Sequence, residues 1–246
     1  MRPHSFKPLL AALALVLACS AHAQEAAIRK ALAERLPNLP KIDEIIKSPI
    51  PGLYEVRYDG ADILYSDEKG DFILVNGAMV DTKTRTDLTQ ARIDKLLAID
   101  FDKLPVKDAL VIRQGSGARR MAVFVDPNCG YCKRFERDLS AIKDVTIYTF
   151  LMPILGPDST VKSRDIWCSK EPVQTWRAWM LEGAAPPKAA KCDTAAIDRN
   201  LAFAHQQRIN GTPAVFFTDG TRKPGALPGE QVERLLVAAS VKASAK

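Results

Sequence analysis

The sequence predicts two folded units, a small α+β unit followed by a larger unit that mixes strands and helices. Residues 24–36 have apolar side chains at helical spacing, and several short strand patterns follow between residues 42 and 80. The larger unit is indicated by Met121–Val125, a continuous apolar strand that passes directly into a helix-like segment. These patterns place the chain among α+β and α/β proteins.

Residues 1–23 are typical of an export leader and are excluded from the fold. Arg2 and Lys7 precede a short apolar run, and Ala21–Ala23 forms a small-x-small cleavage signal. Cys19 leaves an alternative open, because Val16–Cys19 loosely resembles a lipoprotein cleavage box in which the cysteine is lipidated. The main expectation is an exported chain that begins after Ala23.

The smaller unit is expected to span residues 24–85. Leu53–Tyr58 alternates apolar and polar residues, and Asp-Gly and Lys-Gly turns separate the strand patterns around it. A unit of this size is near the lower limit for an independent core, so we expect it to dimerise with a second copy. Residues 86–104 are then predicted to form a linker helix, which can act as a stiff spacer between domains.

Residues 105–246 are expected to form the second domain. Strands are predicted at 110–112, 121–125, 145–151 and 214–217, and helices at 129–139, 158–181, 194–208 and 229–241, the second of these broken at a proline. This order is typical of a thioredoxin-like domain with a helical insertion. No block of basic residues appears among the 35 basic and 29 acidic residues, so no nucleic-acid partner is expected.

The main chemical signal is the Cys-x-x-Cys motif of Cys129 and Cys132. It follows the apolar strand and opens the predicted helix, so we expect the sulfur of Cys129 to be exposed at the helix N-terminus, where peptide N–H groups favour a thiolate. Cys132, one turn further on, should be less ionised and should release a substrate bound to Cys129. Gly130 and Tyr131, which lie between the two cysteines, should tune how oxidising the dithiol pair is.

Two other interpretations of this motif are an inert small-loop disulfide and half of a zinc site. A zinc site needs two more ligands in a compact pair, and His205 is the one histidine that follows the leader. We therefore expect no metal and no cofactor. Once Cys129 and Cys132 are assigned to each other, Cys168 and Cys192 are left to pair as a second disulfide.

The second signal is Gly211-Thr212-Pro213, directly before an apolar strand. It can be a simple turn, or it can hold a cis peptide between Thr212 and Pro213. A cis proline would leave the backbone of Thr212 free to pair with an extended substrate beside Cys129. The proline would also keep a peptide N–H away from the thiols.

With these motifs, the whole mature chain resembles the DsbC/DsbG family of periplasmic thiol:disulfide interchange proteins. Cys129-Gly130-Tyr131-Cys132 is similar to the active site of the DsbC branch, since the DsbG branch usually has proline after the first cysteine. The segments around Cys168 and Cys192 resemble the family's structural disulfide, and Gly211–Val215 resembles its cis-proline loop. One departure is that Phe150–Leu155 lacks an arginine expected soon after its proline.

The resemblance implies a periplasmic disulfide isomerase that acts on misfolded exported proteins. It implies a V-shaped homodimer with chaperone-like affinity for unfolded chains, and a DsbD-type membrane protein that keeps the catalytic pair reduced. Three alternatives remain: a DsbG-like reductase of oxidised single cysteines, a peptide-binding chaperone with only structural cysteines, and a monomeric oxidant of the DsbA type. The strand-rich unit at 42–80 has no place in the last of these architectures.

Overall fold

The structure is a computed structural model that describes residues 23–244, with side chains described as far as residue 241. The expected leader and Cys19 lie outside this range, apart from Ala23. The chain divides into two compact units between Leu96 and Leu97. In the described part of the chain, no helix is long and apolar enough to cross a membrane.

The first unit contains a helix and a four-stranded antiparallel sheet. Helix α1 covers residues 23–35 of the described chain. The strands β1 (Ile42–Lys47), β2 (Leu53–Tyr58), β3 (Asp62–Asp67) and β4 (Ile73–Val75) lie side by side in sequence order. Ile28 and Leu32 of the helix are buried against the apolar face of this sheet, as their spacing predicts.

The expected helix at 86–104 is shorter in the structure. A two-stranded hairpin, β5 (Val80–Asp81) and β6 (Thr86–Asp87), leads into helix α2, which covers Leu88–Leu96. Beyond α2, Phe101–Lys103 and Val106–Asp108 form two short 3-10 turns. The helix is interrupted because Ile99, Phe101 and Leu104 are buried in a core of the second unit instead of lying on one helical face.

Helix α2 is attached to the first sheet by polar contacts. The guanidinium of Arg92 pairs with the carboxylates of Glu44, at 2.5 Å, and Glu55, at 3.1 Å. The hydroxyl of Thr89 lies 2.5 Å from that of Tyr65 and accepts the N–H of Met79 at 2.9 Å. The helix is therefore an integral part of the first unit.

The second unit is built on a five-stranded mixed sheet. Its strands are β7 (Leu110–Gln114), β8 (Arg119–Val125), β9 (Val145–Leu151), β10 (Ala214–Phe217) and β11 (Arg222–Pro224), in the spatial order β11-β10-β8-β9-β7. Strands β8 and β9 run parallel, and the other pairs are antiparallel. The carboxyl ends of β8 and β9 thus meet at one edge of the sheet, where the two cysteines of the motif follow β8.

Helices cover both faces of this sheet. They are α3 (Gly130–Ser140), α4 (Pro157–Trp167), α5 (Pro172–Arg177), which continues into a π-helical turn at Ala178–Glu182, α6 (Ala195–Gln206) and α7 (Gly229–Ser244). Two separate hydrophobic cores lie on the two faces. The central strand β8 is buried from Met121 to Val125, which explains why its sequence is a continuous apolar run. The predicted strands and helices of this domain are all present.

Candidate active site

Cys129 caps the N-terminus of α3. Its backbone is extended, with φ −73° and ψ 115°, and its sulfur accepts the N–H of Cys132 at 3.3 Å. Helix N-termini leave such N–H groups without backbone partners and carry the positive end of the helix dipole. The sulfur therefore lies where the sequence predicts it, within reach of a helix-terminal donor.

The expectation that Cys129 is exposed is wrong. The residue is only 6 % exposed, because the loop before β10 approaches it from the other side. The thiol donates to the carbonyl oxygen of Thr212 at 3.3 Å. The sulfur is consequently enclosed between the N-terminus of α3 and this loop.

Cys132 lies one turn inside α3 and is 2 % exposed. Burial raises the pKa of its thiol, because a thiolate there would lose its hydration. The peptide N–H of Asp126 and the hydroxyl of Thr212 oppose this increase in the pKa of Cys132 by donating to the sulfur, but burial dominates. Both sulfurs are thus buried, and they differ in position: Cys129 caps α3, whereas Cys132 lies one turn inside the helix.

The two residues between the cysteines differ in their environment. Tyr131 is 64 % exposed, and the guanidinium of Arg134 lies 5.3 Å from the centre of its ring. A side chain at Gly130 would meet no other atom within 4 Å, so space does not require glycine there. Both positions are exposed beside the two thiols.

The peptide bond between Thr212 and Pro213 is cis. The carbonyl of Pro213 accepts the N–H of Gly225 at 2.7 Å, and Ala214 begins β10, which pairs with β8. This pairing brings the Thr212 loop to the same sheet edge as Cys129. The turn and the dithiol motif, 83 residues apart in the chain, therefore form one site.

Cys168 and Cys192 form a disulfide bond with a Cα–Cα distance of 5.7 Å. The bond joins the C-terminus of α4 to the segment before α6, and Cys129 and Cys132 are both free thiols. The pairing expected from the cysteine count is confirmed. Among the described residues, no group of three or more His, Cys, Asp or Glu side chains is arranged to hold a metal ion.

Sequence reasoning missed a cluster beside α3. The indole N–H of Trp179 donates to the carbonyl of Pro127 at 2.6 Å, and the ammonium groups of Lys133 and Lys162 lie 3.8 and 5.0 Å from the Trp179 ring. Burial, together with the nearby charges of Lys162 and Arg137, lowers the pKa of Lys133. No sequence spacing links these residues, because the tryptophan comes from the helical insertion.

A second missed residue is Asp126, which precedes the motif by three positions and is fully buried. Its carboxylate accepts from the backbone N–H groups of Asn128, Ile154 and Leu155 and from the hydroxyl of Ser159, at 2.7 to 2.9 Å. The only sequence signal was an aspartate at the end of an otherwise apolar strand. It connects the turn before Cys129 to the segment that follows β9.

The fold and the two neighbouring free thiols place the protein in the class of thioredoxin-like thiol–disulfide oxidoreductases. The thioredoxin-like domain family matches residues 106–240, and the N-terminal domain family of disulfide bond isomerase proteins matches residues 19–90. A disulfide interchange protein from Neisseria gonorrhoeae is similar in structure, with a TM-score of 0.53 and 33 % identity over 55 % of this chain and 98 % of the other.

Full-length relatives extend this similarity to both units. A probable thiol:disulfide interchange protein DsbC from Bordetella pertussis is 44 % identical over 87 % of this chain and 74 % of its own length. The DsbC protein of Escherichia coli K12 is 27 % identical over 88 % of this chain and 89 % of its own. The chain belongs to the DsbC family, and it is accordingly an enzyme of the disulfide isomerase class.

Proposed function

We propose that this enzyme rearranges incorrect disulfides in exported proteins through the dithiol of Cys129 and Cys132. The observation that carries the proposal is the placement of the two sulfurs. One caps α3 and faces the Thr212 loop, and the other lies buried behind it. That asymmetry gives the two thiols different roles, attack by the first and release by the second.

In the first step, the thiolate of Cys129 attacks one sulfur of a substrate disulfide. A sulfur–sulfur bond forms to Cys129, the substrate bond breaks, and the electron pair leaves on the second substrate sulfur. Thr212 and Pro213 support this step by holding an extended substrate segment next to Cys129. Gly130 and Tyr131 set the stability of the thiolate form and hence the redox poise.

The mixed disulfide can then resolve in two ways. A different thiolate of the substrate attacks the substrate sulfur that is bonded to Cys129. A new disulfide forms within the substrate, the mixed disulfide breaks and Cys129 leaves as a thiolate, which is isomerisation without net oxidation. Alternatively, the Cys132 thiolate attacks Cys129, which releases the substrate with two thiols and leaves a Cys129–Cys132 disulfide. A membrane reductant of the DsbD type would supply the two electrons that reduce this disulfide again.

We further infer that the enzyme is a homodimer formed by residues 24–85 of its first unit, with residues 86–104 leading from that region, through α2, to the catalytic domain at 105–246. Strand β4 lies at the edge of the first sheet, and Phe72, Leu74 and Val75 are 77 %, 57 % and 51 % exposed there. An exposed apolar edge strand is a template for pairing with another chain. Replacing Leu74 with aspartate should turn a dimer into a monomer in sedimentation experiments, whereas an unchanged mass would contradict this interface.

The proposed location is the periplasm, after removal of residues 1–23. This location is oxidising enough to need an isomerase and permits the Cys168–Cys192 disulfide to persist as a structural bond. Chaperone-like binding of unfolded chains is also proposed, because the resemblance to the DsbC/DsbG family implies it. Mass spectrometry of the exported protein tests the start at Gln24.

The decisive experiment is rescue of a scrambled multi-disulfide protein by wild type, Cys129→Ala and Cys132→Ala. The Cys129→Ala variant is expected to be inactive, because the free thiol that remains, Cys132, is buried and burial raises its pKa. The Cys132→Ala variant should keep partial activity and accumulate mixed disulfides that are visible on non-reducing gels. Equal rescue by wild type and Cys129→Ala would overturn the proposal and favour a chaperone with only structural cysteines.

A further inference from the structure

Two exposed apolar residues lie at the same sheet edge as the dithiol. Ile154 and Leu155 follow β9, and they are 42 % and 56 % exposed. The parallel pairing of β8 with β9 places them beside the turn that leads to Cys129. We call Ile154 and Leu155 the apolar rim.

The apolar rim is fixed in place by Asp126. One carboxylate oxygen accepts the N–H groups of Ile154 and Leu155, at 2.8 and 2.9 Å. The other oxygen accepts the N–H of Asn128 at 2.7 Å and the hydroxyl of Ser159 at 2.8 Å. A carboxylate has acceptor sites for four donors, so this one side chain holds both segments at once.

Asp126 is joined to Cys129 by its own backbone as well. Its carbonyl accepts the N–H of Cys129 at 3.1 Å. Any displacement of the rim relative to the dithiol must therefore break contacts at Asp126. Asp126 is therefore a buried residue that connects the turn before Cys129 to the apolar rim.

We propose that Asp126 is a positioning residue that aligns the apolar rim with Cys129, and that the rim binds an apolar side chain next to the substrate cysteine. The occupant is an extended segment of unfolded polypeptide. In the mixed disulfide the substrate is covalently attached to Cys129, so the residues beside its cysteine have to lie over this sheet edge. Apolar residues are exposed in unfolded chains and buried in folded ones, so the rim would favour unfolded substrates.

This inference rests on the proposed exchange activity, and its test keeps the two apart. Two cyclic peptides of equal length are closed by one disulfide, with leucine beside both cysteines in one and serine in the other. Their rates of reduction by the reduced enzyme are measured by acid quenching and chromatography. Wild type should reduce the leucine peptide about tenfold faster, a factor typical of a small apolar contact.

The variants then assign this preference to the rim and to Asp126. The ratio of the two rates should fall toward one in the double variant Ile154→Ser/Leu155→Ser and in Asp126→Ala. The control is Val237→Ser, in which the replaced valine lies on α7 and is 53 % exposed. In this variant the ratio of the two rates should remain near the wild-type value. Amide hydrogen exchange at Ile154 and Leu155 should also accelerate in Asp126→Ala, because both N–H groups lose their acceptor.

The possible outcomes test different claims. If the enzyme fails to reduce glutathione disulfide, the proposed exchange activity is wrong. If it reduces glutathione disulfide but reduces both peptides at the same rate, only the proposed binding at the apolar rim is wrong. A wild-type ratio in Asp126→Ala overturns the role of Asp126. If that variant does not fold, Asp126→Asn keeps the size of the side chain with fewer acceptor sites, and an unchanged ratio there is equally decisive. The rim variant alters exposed side chains only, so it tests the rim independently.

Discussion

The thiol of Cys129 donates to the carbonyl oxygen of Thr212 at 3.3 Å, although 83 residues separate them in sequence. Strand β10 pairs with β8 and brings the loop before it to the dithiol. The same sulfur also accepts the N–H of Cys132, at 3.3 Å. In the proposed reaction, a substrate would therefore approach between a helix terminus and an extended loop, which suits a polypeptide strand better than a compact surface.

The first prediction concerns the pH dependence of substrate release by Cys132. Because burial raises the pKa of this thiol, its thiolate fraction at neutral pH is small and increases about tenfold for each pH unit. Release of a single-cysteine peptide from its mixed disulfide with Cys129 should accelerate accordingly between about pH 6 and 8. Quenched single-turnover reactions on non-reducing gels measure this rate.

The matched control for that experiment is Cys132→Ala, in which the same mixed disulfide forms but no second thiol can release the peptide. Its trapped complex should persist across the whole pH range. A release rate in wild type that does not change between about pH 6 and 8 would show that Cys132 is already ionised at neutral pH, contrary to its burial.

The second prediction concerns Glu136, on α3 one turn after Cys132. Its side chain is buried and accepts the indole N–H of Trp176 at 3.1 Å. Burial raises the pKa of Glu136 above its ordinary value of 4.5, so the folded protein keeps this proton when the unfolded chain has lost it. The free energy of unfolding should therefore fall as the pH rises from about 4.5 through the raised value.

Replacing Glu136 with glutamine removes the charge and keeps an acceptor for Trp176. Urea unfolding of Glu136→Gln should show a weaker decline with pH than wild type and a higher stability at neutral pH. Glu182→Gln, an exposed carboxylate of the helical insertion, is the control and should follow the wild-type curve. A Glu136→Gln curve parallel to that of wild type would exclude a raised pKa at Glu136.

The third prediction compares two valines of the central sheet. Val123 on β8 is 1 % exposed, whereas Val111 on β7 is 48 % exposed. Val123→Ala should lower the free energy of unfolding by about 2 kcal/mol, because it loses two buried methyl groups and leaves a cavity. The same change at Val111 should cost less than about 0.5 kcal/mol. Equal losses in urea unfolding would contradict the placement of β7 at the sheet edge.

Much of the second unit was predictable because its signals are local. The apolar run of β8 predicts a strand covered on both faces, and Cys129 at its end predicts a capped helix. The exposure of Cys129 was predicted wrongly, because it depends on the Thr212 loop, whose approach comes from sheet pairing. Local patterns specify elements, but they do not specify which distant loop covers a helix terminus.

Three other features were not predicted, because they too depend on contacts between segments that are distant in the sequence. The region after α2 has apolar residues at helical spacing, yet Phe101 and Leu104 are buried in a core that only the assembled sheet creates. The role of Asp126 depends on backbone N–H groups of Ile154 and Leu155, which carry no side-chain signature in the sequence. Trp179 comes to Lys133 from an insertion whose path no periodicity predicts.

The fourth prediction concerns the disulfide of Cys168 and Cys192, which are separated by 24 positions in the chain. Removing both sulfurs in Cys168→Ala/Cys192→Ala frees the segment between α4 and α6 in the unfolded state. On the chain-entropy model this lowers the free energy of unfolding by roughly 3 kcal/mol.

The exchange chemistry should survive this loss, because neither cysteine contacts Cys129 or Thr212 through any hydrogen bond of the described chain. Thermal unfolding and reduction of glutathione disulfide are measured on the same double variant at a temperature where it is folded. A lower melting temperature with a rate within about twofold of wild type assigns the bond a stabilising role. If the exchange rate collapses while the protein remains folded, the disulfide instead takes part in the reaction, and the separation of the four cysteines into a catalytic and a structural pair is wrong.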